Sequence, residues 1–350
     1  MERKSQSIVL SPEDFGAFWK YIGDDTITDI DYNGSELWVK NIYGEKKIVE
    51  RDFPMPFLDR FCQRVADSVN GHFTPADPIL EAETENLRIS MIHETVATSG
   101  RSISIRHVSE GLRLKSAEDA IQSGYCSKEV MGLLINCVLA KLNISICGEM
   151  GIGKSECARF LSHYIPNDQR VITIEDSPEW HFKKINPGHD CVELKVGAGK
   201  TYSDLLKACL RQDATWIMLS EARSREVTDL IENLTSGARC ITTLHTDDTR
   251  KIPARMISMT GSKEDAERME YNIYDCLDVG ILIRMKERQR YIDQVCFFYR
   301  ENGKNRSTLL VANGDIVFHD EFPDAVMEKF KKEHIENPFY CKRMKEGILA

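Results

Sequence analysis

Gly148-Glu149-Met150-Gly151-Ile152-Gly153-Lys154-Ser155 spells G-x-x-x-x-G-K-S between an apolar run, Ile144-Ser145-Ile146-Cys147, and a helix-like segment, Ser155-Glu156-Cys157-Ala158-Arg159-Phe160-Leu161. The order strand, glycine-rich loop, helix is the context a phosphate-binding loop requires. Glycines let backbone N–H groups turn inward around an anion, and the following helix presents its unpaired amides and positive dipole end to the same point. Gly148, Glu149, Met150, Gly151, Ile152, Gly153, Lys154, Ser155 and Glu156 are therefore the expected nucleotide-binding set. Lys154 would reach the β- and γ-phosphates of ATP, and Ser155 the Mg²⁺. A second cluster, Gly197-Ala198-Gly199-Lys200-Thr201, lacks the first glycine, since Leu194 stands five positions before Gly199. It reads as a turn that ends one strand and caps a helix starting near Tyr202.

Outward from the loop, helices and strands alternate from Ser127 onward. Arg170-Val171-Ile172-Thr173-Ile174-Glu175 and Trp216-Ile217-Met218-Leu219-Ser220-Glu221 are nearly continuous apolar strands that end in acids, the pattern of buried parallel strands in an α/β fold. Val130 to Ala140 is apolar but interrupted by Asn136 and closed by Lys141, so it reads as a core helix too short to span a bilayer. After Arg300 the chain is charged, with a strand expected at Thr308-Leu309-Leu310-Val311 and a helix from Asp324 to Lys332.

The pattern changes near residue 112. Ile27-Thr28-Asp29-Ile30-Asp31-Tyr32 and Leu37-Trp38-Val39-Lys40 flank Asn33-Gly34-Ser35 in the manner of a hairpin. A helical period follows from Phe57 to Ala66, then strands from Leu87 to Ile92 and from Ser102 to Arg106. These imply a smaller α+β domain with an antiparallel sheet over residues 1–112 and a P-loop domain with a C-terminal extension over 113–350. The polar stretch Ser109 to Gln122 reads as the linker.

Composition narrows the classes. The chain has 350 residues, 42% hydrophobic and 29% charged, enough for about two domains. A net charge of -9 argues against a general nucleic-acid surface, because counterion release needs clustered Lys and Arg. The eleven cysteines include no C-x-x-C pair, and Cys137, Cys147 and Cys240 fall in apolar segments. Buried reduced thiols and the absence of a signal-peptide pattern at the N-terminus point to the cytosol.

Three clusters give the loop a chemistry. Glu221 closes one strand, where an acid at the carboxyl end of a parallel strand lies beside the phosphate site; it would hold the Mg²⁺ through water or polarise the attacking water. Glu175-Asp176 ends another strand in the same way, so two acids are expected to converge on one metal-phosphate centre. Ile241-Thr242-Thr243-Leu244-His245 ends in an imidazole placed to contact the γ-phosphate and report nucleotide state.

Taken in order, the phosphate loop, Thr173-Ile174-Glu175-Asp176-Ser177-Pro178-Glu179, Leu205-Leu206-Lys207-Ala208-Cys209-Leu210-Arg211, Glu221-Ala222-Arg223 and Thr242-Thr243-Leu244-His245 resemble the motif series of the type II/type IV secretion (traffic) ATPases. The likeness covers roughly residues 20 to 295, and within the superfamily it is nearest to the type IV secretion and Flp pilus assembly branch. It implies a RecA-like P-loop core with a parallel-rich sheet behind a small α+β domain. It also implies Glu221 as principal base or water-orienting group, Glu175 assisting, His245 as the His-box residue, and Ser155 and Glu221 on the metal. Arg88 and Arg106 match arginines that reach the nucleotide from the N-terminal domain, and Arg223 matches the arginine after the acid of Walker B. Guanidinium forks there suit the charge that phosphoryl transfer spreads over the transferred group.

The resemblance further implies a homo-oligomer, a hexameric ring, working on pilus assembly or protein secretion beneath an inner-membrane platform protein in the cytoplasm, and the acidic balance counts against direct nucleic-acid contact. A nucleotide-gated scaffold with weak hydrolysis and a conjugative DNA-transfer ATPase are the alternatives. Departures from the family pattern are Ser220 where Gly is common, Ala238-Arg239-Cys240 in place of a His-x-Gly run, and Ala97-Thr98-Ser99-Gly100 in place of a Pro-rich turn.

Overall fold

The computed structural model describes residues 10–51, 53–84, 86–108, 112–260, 266–317 and 322–345. The chain divides into two compact units, residues 1–110 and 111–350.

The first unit is a six-stranded antiparallel sheet, β1 (Ile27–Tyr32), β2 (Glu36–Asn41), β3 (Lys46–Arg51), β4 (Ile79–Glu83), β5 (Leu87–Ile92) and β6 (Ser102–His107), in the order β3-β2-β1-β6-β5-β4. Alternation puts Leu37 and Val39, Ile89 and Met91, and Ile103 and Ile105 on the buried face. The helix Met55–Ser68 covers that face with Leu58, Phe61, Cys62, Val65 and Ala66, the three- and four-residue spacing of a single apolar stripe. Gly34 and Gly100 have φ of +100° and +110°, and a Cβ on Gly34 would stand 2.4 Å from the Ser99 carbonyl oxygen. Only glycine lets the β1–β2 turn and the turn before β6 approach this closely.

The second unit is built on nine strands, β7 (Ile144–Cys147), β8 (Val171–Glu175), β9 (Cys191–Lys195), β10 (Trp216–Leu219), β11 (Arg239–Leu244), β12 (Val279–Lys286), β13 (Gln289–Glu301), β14 (Lys304–Ala312) and β15 (Asp315–Ile316), in the order β15-β14-β13-β12-β7-β11-β10-β8-β9. From β12 through β9 the pairings are parallel; from β12 to β15 they are antiparallel. Successive residues of β10 face opposite ways. Trp216 and Met218 pack with the helices Lys128–Leu139 and Lys154–Ser162, while Ile217 and Leu219 pack with Glu226–Thr235 and Ala266–Cys276. Both faces are covered, which is why these strands read as continuous apolar runs.

The strand, loop and helix order around residue 148 is as expected, as are the hairpin of β1 and β2 and the helix Asp324–Lys332. Gly197 and Lys200 bridge across a turn, and Thr201 caps the helix Tyr202–Cys209 through a reciprocal capping box with Asp204. The expected linker is not wholly linker. Of that stretch, residues 109–111 lie outside the described residues, but Ala117–Gln122 is a helix, capped by Ser116 and burying Ala117 and Ala120. Two small apolar residues three apart suffice to hold one turn on the core although the segment is polar by composition.

Asn136, the polar break in the core helix, has a structural reason. Its side-chain amide donates to the carbonyls of Pro338 and Tyr340 at 2.8 and 2.9 Å, anchoring the tail across the helix. Asn143 does similar work where the strands begin: its backbone N–H meets Asp278, its amide donates to Cys276 O, and its Oδ1 accepts from Cys240 N. All eleven cysteines are buried thiols. No helix among the described residues is long and apolar enough to cross a membrane.

Candidate functional site

Register brings the motif residues to one edge of the second unit's sheet. Leu219 pairs with Ile174 and with Thr242, and Leu244 pairs with Cys147. Parallel strands in this register end together, so Gly148, Glu175, Ser220-Glu221 and His245 all leave the sheet at the same carboxyl edge.

The loop has the form of an anion cradle. Gly148, Gly151 and Gly153 have φ of +142°, +73° and +102°, a run of conformations that L side chains avoid. A Cβ on Gly148 would stand 2.7 Å from the Ile283 carbonyl oxygen of β12. Gly153 begins the helix Lys154–Ser162 and offers no side-chain cap, so the first-turn amides are left for an external acceptor. Lys154 is 8% exposed. Its ammonium donates to the carbonyls of Gly148 and Glu149 at 3.2 and 2.9 Å and lies 3.2 Å from His245 Nδ1. Burial holds its pKa down to about 8, only partly opposed by the charge of Glu221. A desolvated cation held by the loop's own carbonyls, beside uncapped first-turn amides, is matched by a polyphosphate, so these residues fit ATP.

From Lys154 a continuous polar chain crosses the edge. His245 Nε2 is 3.1 Å from Glu221 Oε1, and Arg223 Nη2 is 2.8 Å from Glu221 Oε2. Arg223 Nη1 then reaches Asp176 at 2.9 Å. In the Nε2–H tautomer His245 donates to Glu221 while Nδ1 accepts from Lys154, and the same Nδ1 lies 3.2 Å from the Gly148 carbonyl oxygen. Glu226 fixes the segment after Glu221 by accepting from the backbone amides of Arg223 and Ser224 at 2.6 and 2.7 Å. Ser220, the departure from glycine, is used: its hydroxyl is 3.0 Å from the Tyr202 hydroxyl, which accepts the Asp176 amide at 2.9 Å.

Glu175 is placed differently from the expected convergence of two acids. It is 4% exposed, and its Oε1 accepts the backbone amides of Glu179 and Trp180, each at 2.9 Å. Burial pushes its carboxyl up to about 8 against the opposing pull of those amides, which favours the protonated form. The acid beside Ser155 is Glu179, whose Oε2 accepts from the Ser155 hydroxyl at 3.4 Å. Serine hydroxyl and carboxylate are the hard oxygen donors Mg²⁺ takes, the rest of its shell being phosphate and water, so this pair fits the metal. Glu179 stands in the Thr173–Glu179 motif, four residues beyond the acid that turns its loop. Its part follows from Glu175 folding that loop back, which no spacing announces.

Glu156 likewise turns from the loop: its Oε1 accepts the amides of Arg113 and Leu114, tying the segment before the first helix to the phosphate-loop helix. Met150 is 72% exposed. In the first unit Arg88 and Arg106 face each other across β5 and β6, and Arg106 Nε pairs with Asp29 at 2.7 Å. Arg101, which no motif marks, is 7% exposed and is gripped by Asp59 at 2.7 Å and Glu94 at 2.9 Å.

Residues 66–337 match the family described as type II/IV secretion system protein. An uncharacterized protein of Bacillus anthracis is 31% identical over 265 residues, 74% of this chain and 59% of that protein. The type IV secretion system protein VirB11 of Brucella suis is 32% identical over 152 residues, 41% of this chain and 42% of that protein. The chain thus spans less than two thirds of the length of these curated relatives. Among solved structures, the ATPase DotB of Yersinia pseudotuberculosis superposes with a TM-score of 0.63 at 13% identity, covering 86% of this chain and 83% of that one. The pilus retraction motor PilT with bound ADP gives 0.59 at 16% identity, covering 94% and 88%. At these identities the likeness is one of fold.

Proposed function

This chain belongs to the type II/IV secretion system protein family, and we propose that it is a Mg²⁺-dependent ATPase working as a ring motor for pilus assembly or protein secretion. The observation that carries the reading is the connected chain Lys154–His245–Glu221–Arg223–Asp176, which joins the phosphate cradle to a carboxylate at the same sheet edge.

Lys154 and the first-turn amides bind the phosphate chain. Ser155, with Glu179 beside it, holds Mg²⁺, which when bound neutralises charge on the phosphate oxygens. Glu221 Oε1 orients the attacking water and takes its proton; Arg223 on Oε2 fixes the carboxylate plane. His245 lies between Lys154 and Glu221, so a change at the phosphate end moves the base. A hexameric, cytoplasmic assembly docked beneath an inner-membrane platform protein completes the proposal on the ground of the family resemblance.

Turnover by the purified chain tests it. Lys154→Ala should lower ATP hydrolysis at least about a hundredfold, the scale on which removing a transition-state donor acts. Glu221→Gln should do the same while ATP still binds. Wild-type turnover in either variant sinks the motor reading; ATP-driven assembly with no turnover in the wild type and none lost in Glu221→Gln marks a nucleotide-gated scaffold instead.

A further inference from the structure

Arg290 lies on the phosphate loop, and no motif marks it. It follows the tight turn between β12 and β13, and its Nη2 donates to the Gly151 carbonyl at 3.4 Å. A Cβ on Gly153 would stand 3.4 Å from Arg290 Cδ and 3.6 Å from its Nε, so the loop's third glycine is also the surface this side chain rests on. The Nε is buried and has no hydrogen-bond partner. Among the described residues, the guanidinium's one hydrogen bond is to a neutral carbonyl.

The electrostatics are those of an unmatched charge. Burial lowers the Arg290 pKa and the nearby Arg113 lowers it further, with Tyr125 and Glu156 opposing them only in part, while Lys154 is desolvated on the same loop. Two partly desolvated cations on one loop, only partly offset by Glu156 and Glu221, raise the energy of the free loop, and a bound anion lowers it. A guanidinium that needs only to brace the Gly151 carbonyl has no use for a dry, unpaired Nε.

We propose that Arg290 is a second phosphate-binding cation of this loop, contacting the phosphate chain of a nucleoside di- or triphosphate from the β12–β13 side. The proposal rests on residues 148–155 being a nucleotide site, but not on hydrolysis. Because the contact is made to phosphates present before and after turnover, its contribution falls on binding of ATP and ADP alike.

Calorimetric titration of the full chain with ATP, ADP and inorganic tripolyphosphate decides it, using wild type, Arg290→Gln and Arg290→Lys, with Tm recorded for each. Arg290→Gln should weaken all three ligands by roughly ten- to a hundredfold, the loss of one charge-assisted hydrogen bond. Arg290→Lys should recover most of that loss, and the salt dependence of binding should flatten in the glutamine variant alone.

Two results overturn the proposal: wild-type affinity for all three ligands in Arg290→Gln, or ATP weakened equally in both variants while tripolyphosphate binds as in wild type, the mark of a loop brace. If the glutamine variant is unstable, the lysine variant carries the test through its affinity for tripolyphosphate. A wild type that binds through Arg290 yet never hydrolyses ATP upholds this site and sinks the motor; one that hydrolyses ATP while Arg290→Gln keeps wild-type affinity for all three ligands does the reverse.

Discussion

Glu175 and Glu221 both follow apolar strands at the same edge, yet their surroundings give them opposite chemistry. Glu221 is held by a histidine and an arginine; Glu175 is buried and accepts two backbone amides of its own loop. If Glu175 acts as a neutral acceptor, Glu175→Gln keeps the carbonyl oxygen and the loop, and turnover should stay within about threefold of wild type. Glu175→Ala leaves two buried amides unpaired and should lower stability by about 2 kcal/mol, with turnover falling as Glu179 loses its place. A large loss in Glu175→Gln would return Glu175 to the role of base. The pH dependence has a definite sign. A carboxyl whose folded pKa is raised from 4.5 to about 8 binds more protons folded than unfolded, so wild-type stability declines as pH rises through that interval. Chemical denaturation of Glu175→Gln across the same range should show that decline reduced.

At the scale of elements, legibility followed burial and turn chemistry. The strands β7, β8 and β10 are nearly continuous apolar runs covered by helices on both faces and are readable as such, and β11 is readable from Ile241 to Leu244. The β12–β13 hairpin is not, although it carries Arg290. Its turn residues Glu287 and Arg288 adopt φ of +50° and +68° with no glycine or asparagine to announce the turn. The edge strand β3, Lys-Lys-Ile-Val-Glu-Arg, is largely exposed and hides in its charge for the same reason edge strands generally do. Asn143 is a polar residue that composition would pass over, but it joins the starts of β7, β11 and β12 through three buried hydrogen bonds. Asn143→Ala leaves the Cys240 amide and the Cys276 carbonyl without partners. The expected loss is about 2–4 kcal/mol, from two unsatisfied buried groups, read as a lower denaturation midpoint with an unchanged m-value. A loss below about 0.5 kcal/mol would mean that water replaces the side chain.

For the whole molecule, two units with separate cores should differ in their response to acid. The first unit contains a nearly buried guanidinium, Arg101, bonded to Glu94 through Nε and Nη2 and to Asp59 through Nη1. The bidentate contact holds the Glu94 carboxyl down to about 2 from 4.5. A depressed folded pKa contributes stability that is complete above about 4.5 and is lost as pH falls towards 2. Glu94 is 41% exposed, so solvent screening reduces the contribution well below what the shift alone suggests. The expected behaviour is selective: between pH 4.5 and about 2 this triad weakens the first unit, and Arg101→Met removes that part of the pH dependence. At pH 7 the same variant is less stable, since it leaves a cation's place beside two acids unfilled. Hydrogen exchange resolved by segment, run at pH 7 and pH 3.5 on wild type and Arg101→Met, reads the two units separately. Equal acid weakening of β5 and β6 in both proteins would show that Arg101 does not couple to the proton, leaving the resistance of the first unit to its apolar face and the helix Met55–Ser68.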